Sequence, residues 1–279
     1  MMRRLMCVVF TLLLMTYLMS GCSGNSSQSK DAEQKEQFVV GMEVDYAPFN
    51  YELVSPTATS VAIDGGYADG YDVMIAQRIA DALGRELVVR KIEWDGLGVA
   101  LEAGDIDAII AGMTATESRE EGIDFTTPYY GSEGMVMIVR KDCETAAFTD
   151  IQQFAQYRII GQMGTTYDDV IDQIENVIHI TPKATYPEMV VALQHDEVDG
   201  ITAEAPVGLS VIASNPDLII VYFAEGHGFD VDTTVSIGLR EGTRGTDFFN
   251  AVQAALDDIS LEERESMMLL SIENQPSEE

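Results

Sequence analysis

Cysteine is scarce in this chain, with three in 279 residues. Cys7 lies in an N-terminal apolar run and Cys22 just beyond it. Cys143 is therefore alone in the remainder, where neither a disulfide nor a cysteine-based metal site can form. Histidine is equally rare. His179, His195 and His227 are scattered, with no HExxH pattern or Cys/His cluster beside them, which argues for solvated or structural histidines and against zinc. No metal and no cofactor is expected. Basic residues are also few: 16 lysines and arginines face 47 acidic residues, a formal net charge of −31. Such a surface repels nucleic acid and anionic lipid headgroups, which excludes nucleic-acid binding. Hydrophobic residues, at 46%, are not lacking, and the length suffices for two modest domains with real cores.

The N-terminus carries Arg3 and Arg4 ahead of the run LMCVVFTLLLMTYLM, which is too short for a comfortable membrane span and reads as a secretory signal. It ends in Leu18-Met19-Ser20-Gly21-Cys22, which resembles the lipobox of bacterial lipoproteins, with methionine where leucine is usual. That resemblance implies that Cys22 becomes the lipidated first residue. Residues 1–21 are thus expected to be a signal peptide. Residues 22–37, including SGNSSQSKDAEQKEQ, are expected to form a lipidated flexible tether with too little apolar surface to fold.

Beyond the tether, elements alternate. Strand patterns at Phe38–Met42, Leu87–Lys91 and Ile106–Ala111 are separated by helical spacing over Tyr71–Leu83, stopped by Gly84, and over Gly98–Ala103. Residues 55–70 are rich in Gly, Ser, Thr and Asp and read as a loop. A second alternating series follows Met135–Arg140. It comprises a strand at Arg158–Ile160, a helix over Tyr167–Asn176, a strand at Ile178–Ile180, a helix over Tyr186–His195 and a strand at Gly200–Thr202. Asp230–Leu239 returns the chain to the first series, and helices over Asp247–Ile259 and Leu261–Leu270 close it. Alternation of this kind predicts an α/β fold of two Rossmann-like lobes with mixed, mostly parallel sheets. Lobe 1 is expected over 38–132 and 231–279, and lobe 2 over 133–230, with two crossings acting as a hinge.

Ligands in such sheets sit beyond the carboxyl ends of strands, and that rule collects Glu43, Trp94 and Thr114 along one edge of the first sheet and puts Glu204 at a strand end of the second lobe. Arg119 is the residue that most needs explaining. Its stretch, AGMTATESREEGIDFTTPYY, runs from a buried strand through Gly112 to potential N-caps Thr114 and Thr116, and a guanidinium there could close a bidentate grip on a carboxylate. A surface ion pair with Glu120 or Asp124 is the alternative. The turn Gly161-Gln162-Met163-Gly164-Thr165-Thr166 repeats the arrangement in the second lobe. Trp94 could equally be a core residue.

The segments MEVDYAPFNYE, GYDVMIAQRIADALG, EWDGLGVALEAGDIDAIIAGMTATESR and IDFTTPYY together resemble the amino-acid-binding lipoproteins of bacterial ABC importers, the family 3 solute-binding proteins with the type II periplasmic-binding fold. The resemblance covers about Phe38–Ser271. It implies that Arg119, Thr114 and Gly112 hold the α-carboxylate of an L-amino acid, with Thr165 and Gln162 reaching in from the second lobe. Glu204 would take the α-ammonium, at a place where many relatives have aspartate. Glu43, Tyr46 and Trp94 would embrace the side chain, and an acid between aromatics suits arginine or lysine. Glutamine is the neutral alternative. The implied protein is a monomer outside the cytoplasmic membrane, held by its lipid anchor, that delivers the amino acid to a permease with its ATPase. A sensory lipoprotein and a dehydratase-like enzyme on the same fold are the other readings.

Overall fold

The computed structural model describes residues 35–131 and 134–276. The expected signal peptide, Cys22 and most of the tether lie outside the described residues, as do Ser132 and Glu133 at the expected first lobe boundary.

The chain opens with β1 (Gln37–Met42), which buries Phe38, Val40 and Met42. A small antiparallel ribbon follows, made of β2 (Asp45–Tyr46), β3 (Asn50–Leu53), β4 (Val61–Ile63) and β5 (Gly66–Asp69). Helix α1 (Tyr71–Leu83) buries Val73, Ile75, Ala76, Ile79 and Ala80, and ends at Gly84. That glycine sits at φ 68°, the left-handed stop glycine adopts without a Cβ clash. Then come β6 (Glu86–Lys91), α2 (Trp94–Ala103), β7 (Ala108–Ile109), the single-turn α3 (Glu117–Glu120) and β8 (Ile123–Tyr130).

The second series starts with β9 (Met135–Arg140), whose apolar run is buried on both faces, as a central strand requires. It continues through β10 (Arg158–Ile160), α4 (Thr166–Asp169), β11 (Ile178–His179), α5 (Tyr186–Gln194), β12 (Gly200–Glu204), α6 (Ala205–Ser214) and β13 (Leu218–Val221). Last are β14 (Val235–Arg240), α7 (Asp247–Asp257) and α8 (Leu261–Asn274).

Two mixed five-stranded sheets result, ordered β6-β1-β7-β14-β8 and β11-β10-β12-β9-β13. In each, four strands point one way and the fourth in order runs against them. The reversed strands, β9 and β14, are the first the chain forms after it passes from one sheet to the other. A strand that enters a lobe from the side where its neighbours end must run away from that side, so two passages produce two reversed strands.

Several local expectations are corrected. Residues 55–70 are not merely a loop, because β4 and β5 form a hairpin around Asp64-Gly65, a two-residue turn signal. Strands β8 and β13 complete the two sheets at their edges and were not foreseen. Helix α2 begins at Trp94, not Gly98, and β7 pairs over only two residues. The helix expected over Tyr167–Asn176 is a single α turn continued by a 3-10 turn, Val170–Gln173, and Asn176 itself is left-handed at φ 57°.

Candidate ligand-binding site

The carboxyl ends of β1, β7, β10 and β12 meet at one cleft. Glu43 follows β1 directly and is buried. Tyr46, in β2, stacks on Phe49 at 5.3 Å between ring centres and leans on Tyr186 of the opposite lobe at 5.4 Å. Gly112 follows β7 with φ 61°, and a Cβ there would come within 2.7 Å of the Tyr46 ring. Its N–H donates to the Tyr129 hydroxyl at 3.0 Å, so that donor is already engaged.

Thr116, not Thr114, caps α3, accepting from the Arg119 N–H at 3.3 Å. With only one turn of aligned peptides, α3 offers little of the macrodipole expected for an anion site. Arg119 instead folds back into the cleft. Its Nη1 donates to the Thr114 carbonyl at 2.9 Å and its Nη2 to the Gly164 carbonyl of the other lobe at 3.4 Å. The alternative pairing with Glu120 or Asp124 is not formed, since Arg244 serves both acids. Burial lowers the Arg119 pKa, but a guanidinium remains charged.

Trp94 is engaged by the protein itself. Half-buried at the start of α2, its ring lies against the Arg119 guanidinium, 5.0 Å away, and its N–H donates to the Gly164 carbonyl at 3.0 Å. It clasps the arginine and spans to the second lobe.

From that lobe, Gln162 donates its amide to Glu43 Oε1 at 2.9 Å and to the Ala184 carbonyl at 3.0 Å. Thr165 is buried, donates to the Gln162 carbonyl at 2.8 Å and caps α4. Glu204, at the end of β12, is fully buried and receives the Tyr46 hydroxyl at 3.4 Å.

Two oxygens in this cleft, Oε2 of Glu43 and Oε2 of Glu204, are buried with no hydrogen-bond partner. Burial, reinforced by Asp45, pushes the Glu43 carboxyl up to about 8 despite the Gln162 hydrogen bond. Burial likewise drives Glu204 well above the usual carboxylate range. Buried acceptors of this kind call for donors, ideally charged ones. The arrangement can hold an anionic group at one point and donor groups at two others. Among the described residues no group of His, Cys, Asp and Glu is placed to hold a metal ion.

Beneath the site lie residues that sequence reasoning missed: Asn50, Asp72 and Tyr129, all buried. Asp72 was concealed as one polar position in an otherwise apolar helix start. Its helical spacing shows only that it faces the core.

Residues 38–266 match the family model described as bacterial extracellular solute-binding proteins, family 3. A probable histidine-binding protein of Campylobacter jejuni is 28% identical over 229 residues, covering 81% of this chain and 83% of its own. The arginine-binding extracellular protein ArtP of Bacillus subtilis is 23% identical, over 87% and 89% of the two chains. Among solved structures, an amino acid ABC transporter substrate-binding protein from Streptococcus pneumoniae bound to L-arginine superposes with a TM-score of 0.73 at 25% identity, covering 85% of this chain and 94% of that one. With its two mixed-sheet lobes and the cleft between their strand ends, the chain belongs to the bacterial extracellular solute-binding proteins of family 3, which bind their solutes and are not enzymes.

Proposed function

We propose that this protein is the capture component of an amino-acid ABC importer and that its ligand is an L-amino acid with a cationic side chain, arginine or lysine. The observation that carries the reading is the pair of buried carboxyl oxygens, on Glu43 and Glu204, left without partners on either side of a cleft with one arginine. A zwitterion with one further positive charge offers a charged donor to each of these two acceptors. Arg119 and the Thr114 hydroxyl hold the α-carboxylate, Gly112 and Thr165, whose own donors are already bonded, shape the turns beside it, and Glu204 takes the α-ammonium. Glu43, fixed by Gln162, meets the side-chain cation against Tyr46. Trp94 acts by holding Arg119 in place. The ligand is arginine in the pneumococcal structure, and arginine and histidine appear in the names of the relatives above, which supports a nitrogen-rich ligand.

Glutamine remains the second reading, because a protonated Glu43 can donate to a neutral amide. Calorimetry separates the two. Wild-type protein should prefer arginine or lysine to glutamine, and Glu43→Gln should erase most of that preference; equal losses for charged and neutral ligands would remove Glu43 from side-chain recognition. Delivery is to a membrane permease with its ATPase, from a monomer anchored through lipidated Cys22. Cys22→Ser should release the protein from the membrane fraction, and unchanged retention would refute the anchor.

A further inference from the structure

Two residues flanking the site hold left-handed backbone: Val44, beside Glu43, at φ 62°, and Gly112, two residues before Thr114, at φ 61°. For glycine this conformation is ordinary. For a β-branched residue it is rare and must be held by its surroundings. The Val44 N–H donates to Asn50 Oδ1 at 2.6 Å, and Asn50 Nδ2 donates to Asp72 Oδ2 at 2.8 Å. From the other side, the Gly112 N–H donates to the Tyr129 hydroxyl at 3.0 Å, and that hydroxyl donates to Asp72 Oδ1 at 2.6 Å. Two chains of donors thus run from two bent loops and end on the two oxygens of one wholly buried carboxylate at the first turn of α1. Their bonds all point the same way, so each polarises the next, and a charged terminal acceptor strengthens both chains. Burial raises the Asp72 carboxyl to about 6, opposed by these same hydrogen bonds.

We infer that Asp72 is a positioning residue that sets both halves of the ligand grip at once, through Asn50 for the Glu43–Tyr46 loop and through Tyr129 for the Gly112–Thr114 loop. The inference rests on the amino-acid-binding reading above. None of Asn50, Asp72 and Tyr129 needs to touch the ligand. The arms are chemically separable, because one loop carries the acid that senses side-chain charge and the other carries the carboxylate grip.

The test is a set of calorimetric titrations with L-arginine and its neutral isostere L-citrulline, with unfolding temperatures recorded in parallel. Tyr129→Phe cuts the Gly112 arm and should weaken both ligands by a similar factor, about tenfold to a hundredfold, leaving their affinity ratio unchanged. Asn50→Ala cuts the Val44 arm and should weaken arginine more than citrulline, so the ratio falls. Adding Val44→Gly, which tolerates the left-handed bend unaided, should restore arginine affinity at least in part to Asn50→Ala and not to Tyr129→Phe. Folded variants that keep arginine within about threefold of wild type would overturn the inference. So would losses shared equally by the two ligands in both variants, with no selective rescue by Val44→Gly. Wild-type arginine binding is scored first. Its absence would sink the functional reading and with it the grip that Asp72 is inferred to set, whereas wild-type binding with insensitive variants sinks the inference alone.

Discussion

Gln162 occupies one oxygen of Glu43 and leaves the other bare, so the protonation of this carboxyl depends on what a ligand brings. Opposite a cationic side chain it is expected to stay ionised. Opposite a neutral one, burial and Asp45 hold it near 8, and it is protonated at neutral pH. For an open cleft that leaves Glu43 in water at the ordinary value of 4.5, closure over a neutral ligand is expected to raise the carboxyl and take up a proton. That contribution is complete below the ordinary value and is lost as pH climbs through about 8. Glutamine affinity should therefore fall by about tenfold per pH unit between roughly pH 5 and 8, while arginine affinity stays level. Calorimetry across that range reads the slope, and Glu43→Gln should flatten it; a level glutamine profile in the wild type would show that Glu43 stays ionised beside neutral ligands. At this scale the places of Glu43 and Glu204 were legible because they lie at or just past strand ends, and that of Arg119 from the threonine-bearing turn before it. The contact of Trp94 was not, since an aromatic beside a cleft can stack on a ligand or on an arginine, and only the fold of the α3 segment decides.

Helices and central strands were legible where apolar spacing is strong, as in α1 and β9, whose expected and observed limits coincide. Edge strands were harder. β8, IDFTTPYY, carries a proline and two adjacent threonines, and its half-exposed pattern lacks the apolar run of a buried strand. The α4 segment was read too long because helical composition does not reveal that Asn176 turns left-handed to feed β11. One tie between elements invites a direct test. Arg264, in α8, donates to the carbonyls of Leu256 and Ile259 at the end of α7, and to that of Pro128 in β8. A cation at a helix C-terminus that also satisfies three carbonyls should contribute about 2 kcal/mol. Arg264→Ala should lower stability by roughly that amount in denaturant unfolding while leaving arginine affinity near wild type. A loss confined to affinity would mean that α8 acts on the cleft rather than on the fold.

Across the cleft, among the described residues, the two lobes touch through Glu43 with Gln162, Tyr46 with Glu204 and Tyr186, and Arg119 and Trp94 with Gly164, while Ser210 and Ser214 of α6 hydrogen-bond Gln275 and Pro276 beyond α8. Most of the cleft contacts are made by the groups assigned to the ligand, so closure and binding are expected to be one event. Ligand that selects the closed form raises stability by mass action and shrinks the molecule. Solution scattering should show a smaller radius with arginine for wild type and a reduced response for Glu204→Ala, which leaves the ammonium unpaired; binding without compaction would separate recognition from closure. The lobe pattern was legible from the alternating elements. The reversed strands were not, because strand direction is set by the path between sheets rather than by composition. Trp94 is the sole tryptophan of the chain, and its indole N–H reaches the carbonyl of Gly164 across the cleft. Its emission is therefore a built-in optical gauge of the gap, quenched or shifted as the lobes part, with no other indole to blur the signal.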